Sequence, residues 1–478
     1  MKPSGLVILG ICLLSLWYLT ISPAYADYRQ DVGYTTLVSE LDVQVNGDDV
    51  WVTQVESASS GHWMPNVVDN AFVGKEFFNA SWDDGVSGHA TTVGRYFYGN
   101  DTAIAPGIST VTVYEGNHWL QDGFLRLFYW GWQPKKTSSR VANHSWVSSG
   151  ASCSPEVLRR LDWLVDRDEF LQIAALNNGS TARELLSSSF NAITVGRTDA
   201  SHPYGTVAVD EIYTAGRTAP LIVTPVTPTS YATPVLSAAA ALLIEVGHND
   251  PYLSTDPVYM TTTNRNGDII YNAERSEVIK AALMAGADRF TNNSGSVEIT
   301  DYRSIPDDRT DNRLDRRYGA GQLNVYNSYR IVASGEQNSA EDHAEGQGAI
   351  GPEGFDYDPR FGGNDANATA SYYFVADGVY TLLSAALVWN LRIDGGTPYA
   401  FDGTAMLYDM DLFLYDLTEG GLLVSDSNSR DENTENLFVP LTGGHEYLLQ
   451  VQPGPAQAAS NWDFALAWQI RPDSDGDM

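Results

Sequence analysis

The sequence predicts two folded parts: an α/β unit built on a mostly parallel sheet flanked by helices, and a C-terminal antiparallel β-sandwich. Up to about residue 337, segments with strand character alternate with segments whose apolar residues have helical spacing. Beyond that point, short β-rich runs are separated by Gly, Asn and Asp, without helical periodicity. At 478 residues the chain is also longer than one ordinary domain.

The elements of the first part follow one another in the order typical of a parallel sheet. Pro155 suits the first turn of a helix, and Gly247 suits the end of one. Apolar and β-branched runs alternate with amphipathic segments, which is the pattern of βαβ units. We predict strands over residues 50–55, 108–116, 169–176 and 191–198, and helices over residues 89–99, 155–167, 233–247 and 276–287.

The distribution of charge divides the chain at the same place. Residues 340–478 contain 23 acidic residues, four arginines and no lysine, so −19 of the total net charge of −32 lies there. Residues 341–359 are rich in Gly, Pro and acid, which is typical of a linker. We therefore place an α/β domain at residues 27–337, and the linker, the acidic sandwich domain and an acidic tail at residues 338–478.

Composition excludes several classes of function. With 28 basic and 60 acidic residues, the chain is a poor partner for nucleic acid or an anionic membrane. Its hydrophobic content of 43% is enough to build real cores. Of its two cysteines, Cys12 lies in the N-terminal apolar run, so Cys153 alone remains. A disulfide framework and a cysteine-based zinc site are both excluded.

The N-terminus has the layout of a secretory signal peptide. Lys2 precedes an apolar stretch over residues 5–21, which is followed by Pro23 and the small-x-small triplet that ends at Ala26. The alternative is a membrane anchor, but the apolar run is short for a spanning helix. We therefore expect cleavage after Ala26 and a secreted protein, extracellular or periplasmic, without a membrane attachment.

Two segments contain residues suited to nucleophilic acyl transfer, which needs a hydroxyl, a base and an acid that orients the base. His89, in SGHATTVG, lies among small residues at a predicted helix start, so its ring can face a cleft. Ser230, in TPTSYATPVLSAAAALL, precedes a long apolar helix whose first N–H groups can face a developing anion. Taken alone, His89 is better explained as a surface or core residue, and the segment of Ser230 is adequately explained as an ordinary Ser/Thr capping loop.

Six ordered segments within residues 87–332 together resemble the subtilisin-like serine peptidases. SGHATTVG with AIAPGISTVTVYE resembles the family's His-Gly-Thr-His-Val-Ala-Gly block and the strand after it, and PTSYATPVL resembles Gly-Thr-Ser-x-Ala-x-Pro-x-Val. The other four segments are VANHSWVSSG, IAALNNGS, NAITVGRTDA and YGAGQLNVYNSYRIV. Their shared order makes the resemblance specific, and it implies a subtilisin-like sheet in the first part.

The resemblance implies a role for each matching residue. His89 matches the general base, Ser230 matches the nucleophile, and Glu56, at the end of the first predicted strand, takes the position of the acid. Asn177 matches the oxyanion-hole amide, with Asn178 as the alternative if the loop is shifted by one residue. The strand that lines the primary specificity pocket is matched by Ser145, Trp146 and Val147.

The sequence departs from the family pattern at several positions. The acid is usually Asp, so Glu56 adds a methylene; Asp49 and Asp69 are alternatives, one at the wrong end of the strand and one without a preceding strand. Pro228 replaces the Gly before Thr-Ser, which fixes φ and removes an N–H. Leu176 replaces a Gly beside the cleft.

The C-terminal part resembles the β-sandwich that follows many secreted subtilisin-like peptidases, through SAALVWNLRI, DMDLFLYD, SDSNSRDENTE and NWDFALAWQI. The resemblance implies that it stabilises the peptidase or contacts substrate. Asp409 and Asp411 are two residues apart, and so lie on one face of a strand. With Asp426 and Asp431 they are candidates for a structural Ca²⁺ site, because Ca²⁺ takes oxygen ligands. A solvated acidic face is the alternative.

We therefore predict a secreted, monomeric serine endopeptidase that acts on protein or peptide substrates through Glu56, His89 and Ser230, with no cofactor for the chemistry. The alternative is a catalytically silent protein of the same fold that binds peptide or a surface. Glu56, Pro228 and a segment before Val50 that is too short for the family's usual pro-domain favour this alternative. An esterase of another fold fits poorly, because Ser230 lacks the G-x-S-x-G pattern.

Overall fold

The computed structural model describes residues 27–41, 45–82, 85–128, 131–149, 153–256, 258–289, 291–292, 298–299, 308–342, 348–362, 367–378, 380–455 and 457–472. The predicted signal peptide and the last residues of the acidic tail lie outside these ranges. Strands and helices are numbered along the chain.

A sheet of seven parallel strands organises the α/β unit, as the sequence predicts. The strands are β1 Val52–Glu56, β3 Glu76–Asn79, β5 Thr110–Glu115, β6 Val141–His144, β7 Leu171–Ala175, β8 Ile193–Arg197 and β9 Ile222–Thr224. They lie in the order β3-β5-β1-β6-β7-β8-β9, all paired in parallel. All except the edge strand β3 are largely buried, with helices covering the sheet.

The described helices are α1 Tyr28–Asp31, α2 Tyr34–Glu40, α3 Gly88–Tyr98, α4 Gly116–His118, α5 Ser154–Asp168, α6 Thr229–Asn249, α7 Ser276–Ala285 and α8 Val325–Ala333. Single turns of 3₁₀-helix cover Asn70–Phe72, Pro251–Leu253 and Asn272–Glu274, and a π-turn covers Trp119–Gly123. Short ribbons pair β2 His62–Met64 with β4 Gly85–Val86, β10 Thr261–Thr263 with β11 Ile269–Tyr271, β12 Thr291–Asn292 with β13 Glu298–Ile299, and β17 Arg392–Ile393 with β18 Ala405–Met406.

Helix α6 is the central helix of the α/β unit. Among the helices that the structure describes, it alone is long and apolar enough to cross a membrane by length and composition. However, 89% of its most apolar stretch is buried inside the fold, where it packs against α3, α8 and strands β6 to β9. Its apolar character is therefore that of a core helix. It begins at Thr229, four residues earlier than predicted.

Two four-stranded antiparallel sheets form the C-terminal part, which confirms the other half of the predicted fold class. The strands are β14 Glu353–Phe361, β15 Ala370–Val375, β16 Tyr380–Val388, β19 Met410–Asp416, β20 Leu422–Ser427, β21 Thr434–Thr442, β22 Glu446–Pro453 and β23 Trp462–Pro472. The first sheet has the order β14-β23-β16-β21, and the second has the order β15-β22-β19-β20. Their facing sides enclose a second apolar core that contains Trp389, Leu412, Leu449 and Trp468.

The sandwich packs on the α/β unit through the first of its sheets. Strands β16 and β23 lie on α7, and β14 lies on α8. Phe355 and Val388 belong to the same apolar cluster as Leu283 of α7. The predicted domain boundary near Asn338 falls between the end of α8 and the start of β14. Because the two parts share this apolar cluster, the boundary between two domains stays a prediction.

Candidate active site

The three residues predicted to form a triad lie on elements that end or begin at one edge of the parallel sheet. Glu56 is the last residue of β1, and the carboxyl ends of parallel strands share one edge. His89 is the second residue of α3, whose first turn is capped by the Ser87 side chain accepting from the Ala90 N–H at 3.2 Å. Ser230 is the second residue of α6.

Glu56 and His89 form a direct hydrogen bond. The distance from His89 Nδ1 to Glu56 Oε2 is 3.0 Å, with the Glu56 side chain 3% exposed and the His89 side chain 42% exposed. The alternative acids lie elsewhere: Asp69 pairs with Arg95 at 2.6 Å, and Asp49 precedes β1 at the opposite end of the strand. The carboxylate that contacts the histidine is therefore that of Glu56.

This hydrogen bond fixes the chemistry of the imidazole. Since an ionised carboxylate only accepts hydrogen bonds, Nδ1 of His89 must carry the proton. In the neutral ring, Nε2 is then free to accept a proton from an oxygen. The hydrogen bond that His89 donates to Glu56 raises the pKa of His89 above its ordinary value, and the charge of Glu56 adds to the rise while burial opposes it.

Ser230 makes no direct bond to this pair, but the next residue of α6 lies beside the His89 ring. Within the described part of the chain, no hydrogen bond joins His89 to Ser230. The adjacent Tyr231 ring lies 5.7 Å from the His89 ring, centroid to centroid, and stacks on Tyr96 at 5.8 Å. In substrate-free enzymes, the bond between base and nucleophile is often long and tightens only when substrate binds.

The first turns of α6 are held by side chains of the neighbouring strand. Pro234 has no N–H, so it cannot donate to the carbonyl of Ser230 four residues earlier, as a helix requires. Ser145 Oγ donates to that carbonyl instead, at 2.8 Å, and accepts from Asn143 Nδ2 at 2.9 Å. Ser237 Oγ donates to Asn143 Oδ1 at 3.1 Å, which closes the network back onto α6.

One backbone donor at the start of α6 is left free. The N–H of Thr229 donates to Asn178, and those of Tyr231 and Ala232 donate to the carbonyl of Pro228. Among the described residues, the N–H of Ser230 has no hydrogen-bond partner. Pro228 has φ of −73°, which its ring allows, so a proline is compatible with this turn. A free N–H at a helix N-terminus is suited to bind an oxyanion.

The two asparagines after β7 have different surroundings. Asn177 donates from Nδ2 to the carbonyl of Thr181 at 2.8 Å, within its own loop. Asn178 accepts through Oδ1 from both the N–H and the hydroxyl of Thr229, each at 3.1 Å. The side chain that contacts the start of α6 is therefore that of Asn178. Two adjacent asparagines left this choice open in the sequence.

The residues predicted to line the specificity pocket directly follow β6. Ser145 is buried and bonds to the Ser230 carbonyl, as described above. Trp146 is 8% exposed and packs edge-on against the His144 ring at 5.7 Å, and Val147 is half-buried. Leu176, which replaces a Gly of the family pattern, is buried. Of the three predicted residues, Ser145 thus supports the first turns of α6.

No family model and no curated protein sequence matches the chain. Solved structures do resemble it. They include a PatG macrocyclase in complex with peptide (12% identity, TM-score 0.38, 64% of this chain and 98% of that one). A structure of the subtilase cytotoxin SubAB has 14% identity and a TM-score of 0.37, and the match covers 64% of this chain and 96% of that one. A protease from Pseudoalteromonas arctica has 11% identity and a TM-score of 0.35, and the match covers 63% of this chain and 94% of that one. The structural neighbours are subtilase-fold proteins. At such identities and TM-scores, the likeness says nothing about activity.

The predicted calcium ligands lie outside this site. Burial, and next the neighbouring Asp409, raise the pKa of Asp411 to about 6, while Arg430 opposes the rise. Asp426 pairs with Arg313 at 3.0 Å. In the part of the chain that the structure describes, no group of three or more His, Cys, Asp or Glu side chains is arranged to hold a metal ion. A calcium site at Asp409 and Asp411 stays a prediction without support from this geometry.

We expect an NMR titration to give His89 a pKa above the ordinary value of 6.5, since Glu56 favours the protonated ring. In Glu56→Gln the carboxylate charge is gone, so the pKa of His89 should fall. His248, whose pKa is raised by Glu274 in the same way, is an internal control and should titrate unchanged. Equal His89 titrations in both proteins would contradict the pairing.

Proposed function

We propose that this protein is a secreted serine endopeptidase, in which Ser230 is the nucleophile, His89 the general base and Glu56 the acid that orients the base. The observation that carries the proposal is the Glu56–His89 hydrogen bond. It lies at the sheet edge where α6 presents Ser230 with an unpaired backbone N–H. These are the parts that acyl transfer to a serine requires.

In the first half-reaction, Ser230 Oγ attacks the carbonyl carbon of the scissile peptide bond while His89 Nε2 accepts the hydroxyl proton. The negative charge on the former carbonyl oxygen is stabilised by the N–H of Ser230 and by an asparagine amide. The C–N bond then breaks, and His89 returns the proton to the leaving amine. Water attacks the acyl-enzyme by the same route and releases the acid.

Glu56 makes this base suitable for the reaction by two effects. It holds the tautomer whose Nε2 can accept a proton, and it stabilises the imidazolium that forms. Because the pKa of His89 is raised, its ring stays protonated, and therefore inactive as a base, to a higher pH than a free histidine would. Cleavage should rise with pH through that pKa and be lost as the pH falls below it.

The chemistry implies extended protein or peptide segments as substrates, and no cofactor takes part in it. Secretion through residues 1–26, with cleavage after Ala26, and a monomeric state belong to the same proposal. The sandwich carries most of the negative charge and no lysine, which disfavours anionic polymers as substrates or partners.

The test of this function is hydrolysis of casein and of internally quenched peptides by the purified protein. We expect Ser230→Ala to lower the rate by about 10⁶-fold, since removal of the nucleophile leaves only binding and oxyanion stabilisation. Ser328→Ala is a matched control, because Ser328 is another buried helical serine, in α8. It should retain the wild-type rate. A folded wild-type protein that cleaves nothing would favour the catalytically silent alternative.

For the oxyanion, we propose Asn178 as the amide donor, with Asn177 as the residue that the sequence resemblance suggested. Asn178 is anchored to Thr229, next to the nucleophile, whereas the Asn177 amide donates within its own loop. Asn178→Ala should lower kcat by about 10²–10³-fold with little change in KM. Asn177→Ala should lower kcat far less. A larger loss of kcat in Asn177→Ala than in Asn178→Ala would instead assign the oxyanion donor to Asn177.

A further inference from the structure

A fully buried chain of hydrogen bonds lies behind the acid of the site. Gln54 precedes Glu56 by two residues in β1, so both side chains lie on one face of the strand. Gln54 and the Tyr98 side chain of α3 are each 0% exposed. Gln54 Nε2 donates to Glu56 Oε1 at 2.8 Å, and the Tyr98 hydroxyl donates to Gln54 Oε1.

The orientation of the Gln54 amide follows from its partners. Nε2 also donates to the carbonyl of Ala90, at 2.9 Å. A carboxylate and a backbone carbonyl can only accept, so the nitrogen of the amide must face both. Its oxygen then faces Tyr98, which must donate. Every hydrogen-bonding group of the amide except one lone pair is thus used. The hydrogen bonds run in one direction, from Tyr98 through Gln54 to Glu56. The other oxygen of Glu56 accepts from His89.

This arrangement fixes both members of the acid–base pair through one side chain. One N–H of Gln54 holds the oxygen of Glu56 that does not contact His89. The other holds the backbone carbonyl of Ala90, the residue directly after His89. A glutamate has one more rotatable bond than an aspartate, so its carboxylate needs a second contact to stay in one orientation.

We propose that Gln54, held by Tyr98, is the positioning residue that allows a glutamate to serve as the acid of this site. The inference rests on the proposed function. Gln54 does not touch substrate or the reacting atoms; it acts through Glu56. If Gln54 had only a structural role, its amide would serve only to pair these buried hydrogen-bonding groups. Replacing Gln54 would then lower stability without changing the pKa of His89.

The test compares Gln54→Met, which keeps the length of the side chain and removes its amide, with the wild type. We expect kcat to fall by about 10- to 100-fold, the effect of losing one hydrogen bond to a charged group, with KM unchanged. Without its anchor the Glu56 carboxylate turns towards water, so the pKa of His89, followed by NMR, should fall towards its ordinary value. If Gln54→Met does not fold, Tyr98→Phe takes its place in the test and should give the same changes, but smaller.

Gln172→Met is the matched control. Gln172 is also a 0% exposed glutamine in the same sheet, and its amide donates to the Phe170 carbonyl at 2.8 Å, away from Glu56. It should lose comparable stability but keep the wild-type kcat and the wild-type titration of His89. In the Glu56→Gln background, Gln54→Met should cost no further activity, because the residue through which it acts is already changed.

The two claims fail separately. If the wild type cleaves substrate and Gln54→Met matches Gln172→Met in both kcat and the pKa of His89, the positioning role is wrong and the proposed function stands. If the wild type cleaves nothing while the pKa of His89 still falls in Gln54→Met, the positioning role stands and the proposed function is wrong.

Discussion

The buried carboxylate of Glu56 is the constraint on which the site depends. An unpaired ion in a protein interior costs several kcal/mol, so this charge must be compensated where it lies. His89 compensates it from the open side of the site, and Gln54 compensates it from the interior. The same contacts that make the charge tolerable also set the tautomer of the imidazole. Stability and chemical function therefore rest on the same few hydrogen bonds.

Ser230 is placed by a different kind of support. Helix α6 is a nearly fully buried core helix, so its N-terminus is held by packing against the sheet and against α3. Pro234 interrupts its hydrogen bonds at the turn that contains Ser230, and Ser145 restores the missing partner of the Ser230 carbonyl. The result is a supported helix start at which, among the described residues, the N–H of Ser230 remains available to a ligand.

The sequence was sufficient for the fold class, because the order of strands, helices and small-residue blocks is visible in it. It also singled out Glu56 and His89, which the structure brings into contact. The sequence was less informative where the outcome depends on individual side-chain contacts. The start of α6 was predicted four residues late, since Pro234 is typical of a first turn and yet lies in the second. The choice between Asn177 and Asn178 depends on which side chain reaches Thr229. The role of Gln54 was not predicted, because one polar residue in a buried strand resembles many others in the sequence.

The claim that Ser230 is activated by His89 is tested most directly by labelling the purified protein with a serine-directed fluorophosphonate and mapping the modified peptide. The reagent reports the nucleophile and its activation together, independently of substrate preference. We expect a single adduct on Ser230 that disappears in His89→Ala. Labelling of Ser230 that survives this substitution, or a folded wild-type protein that does not react, would contradict the account.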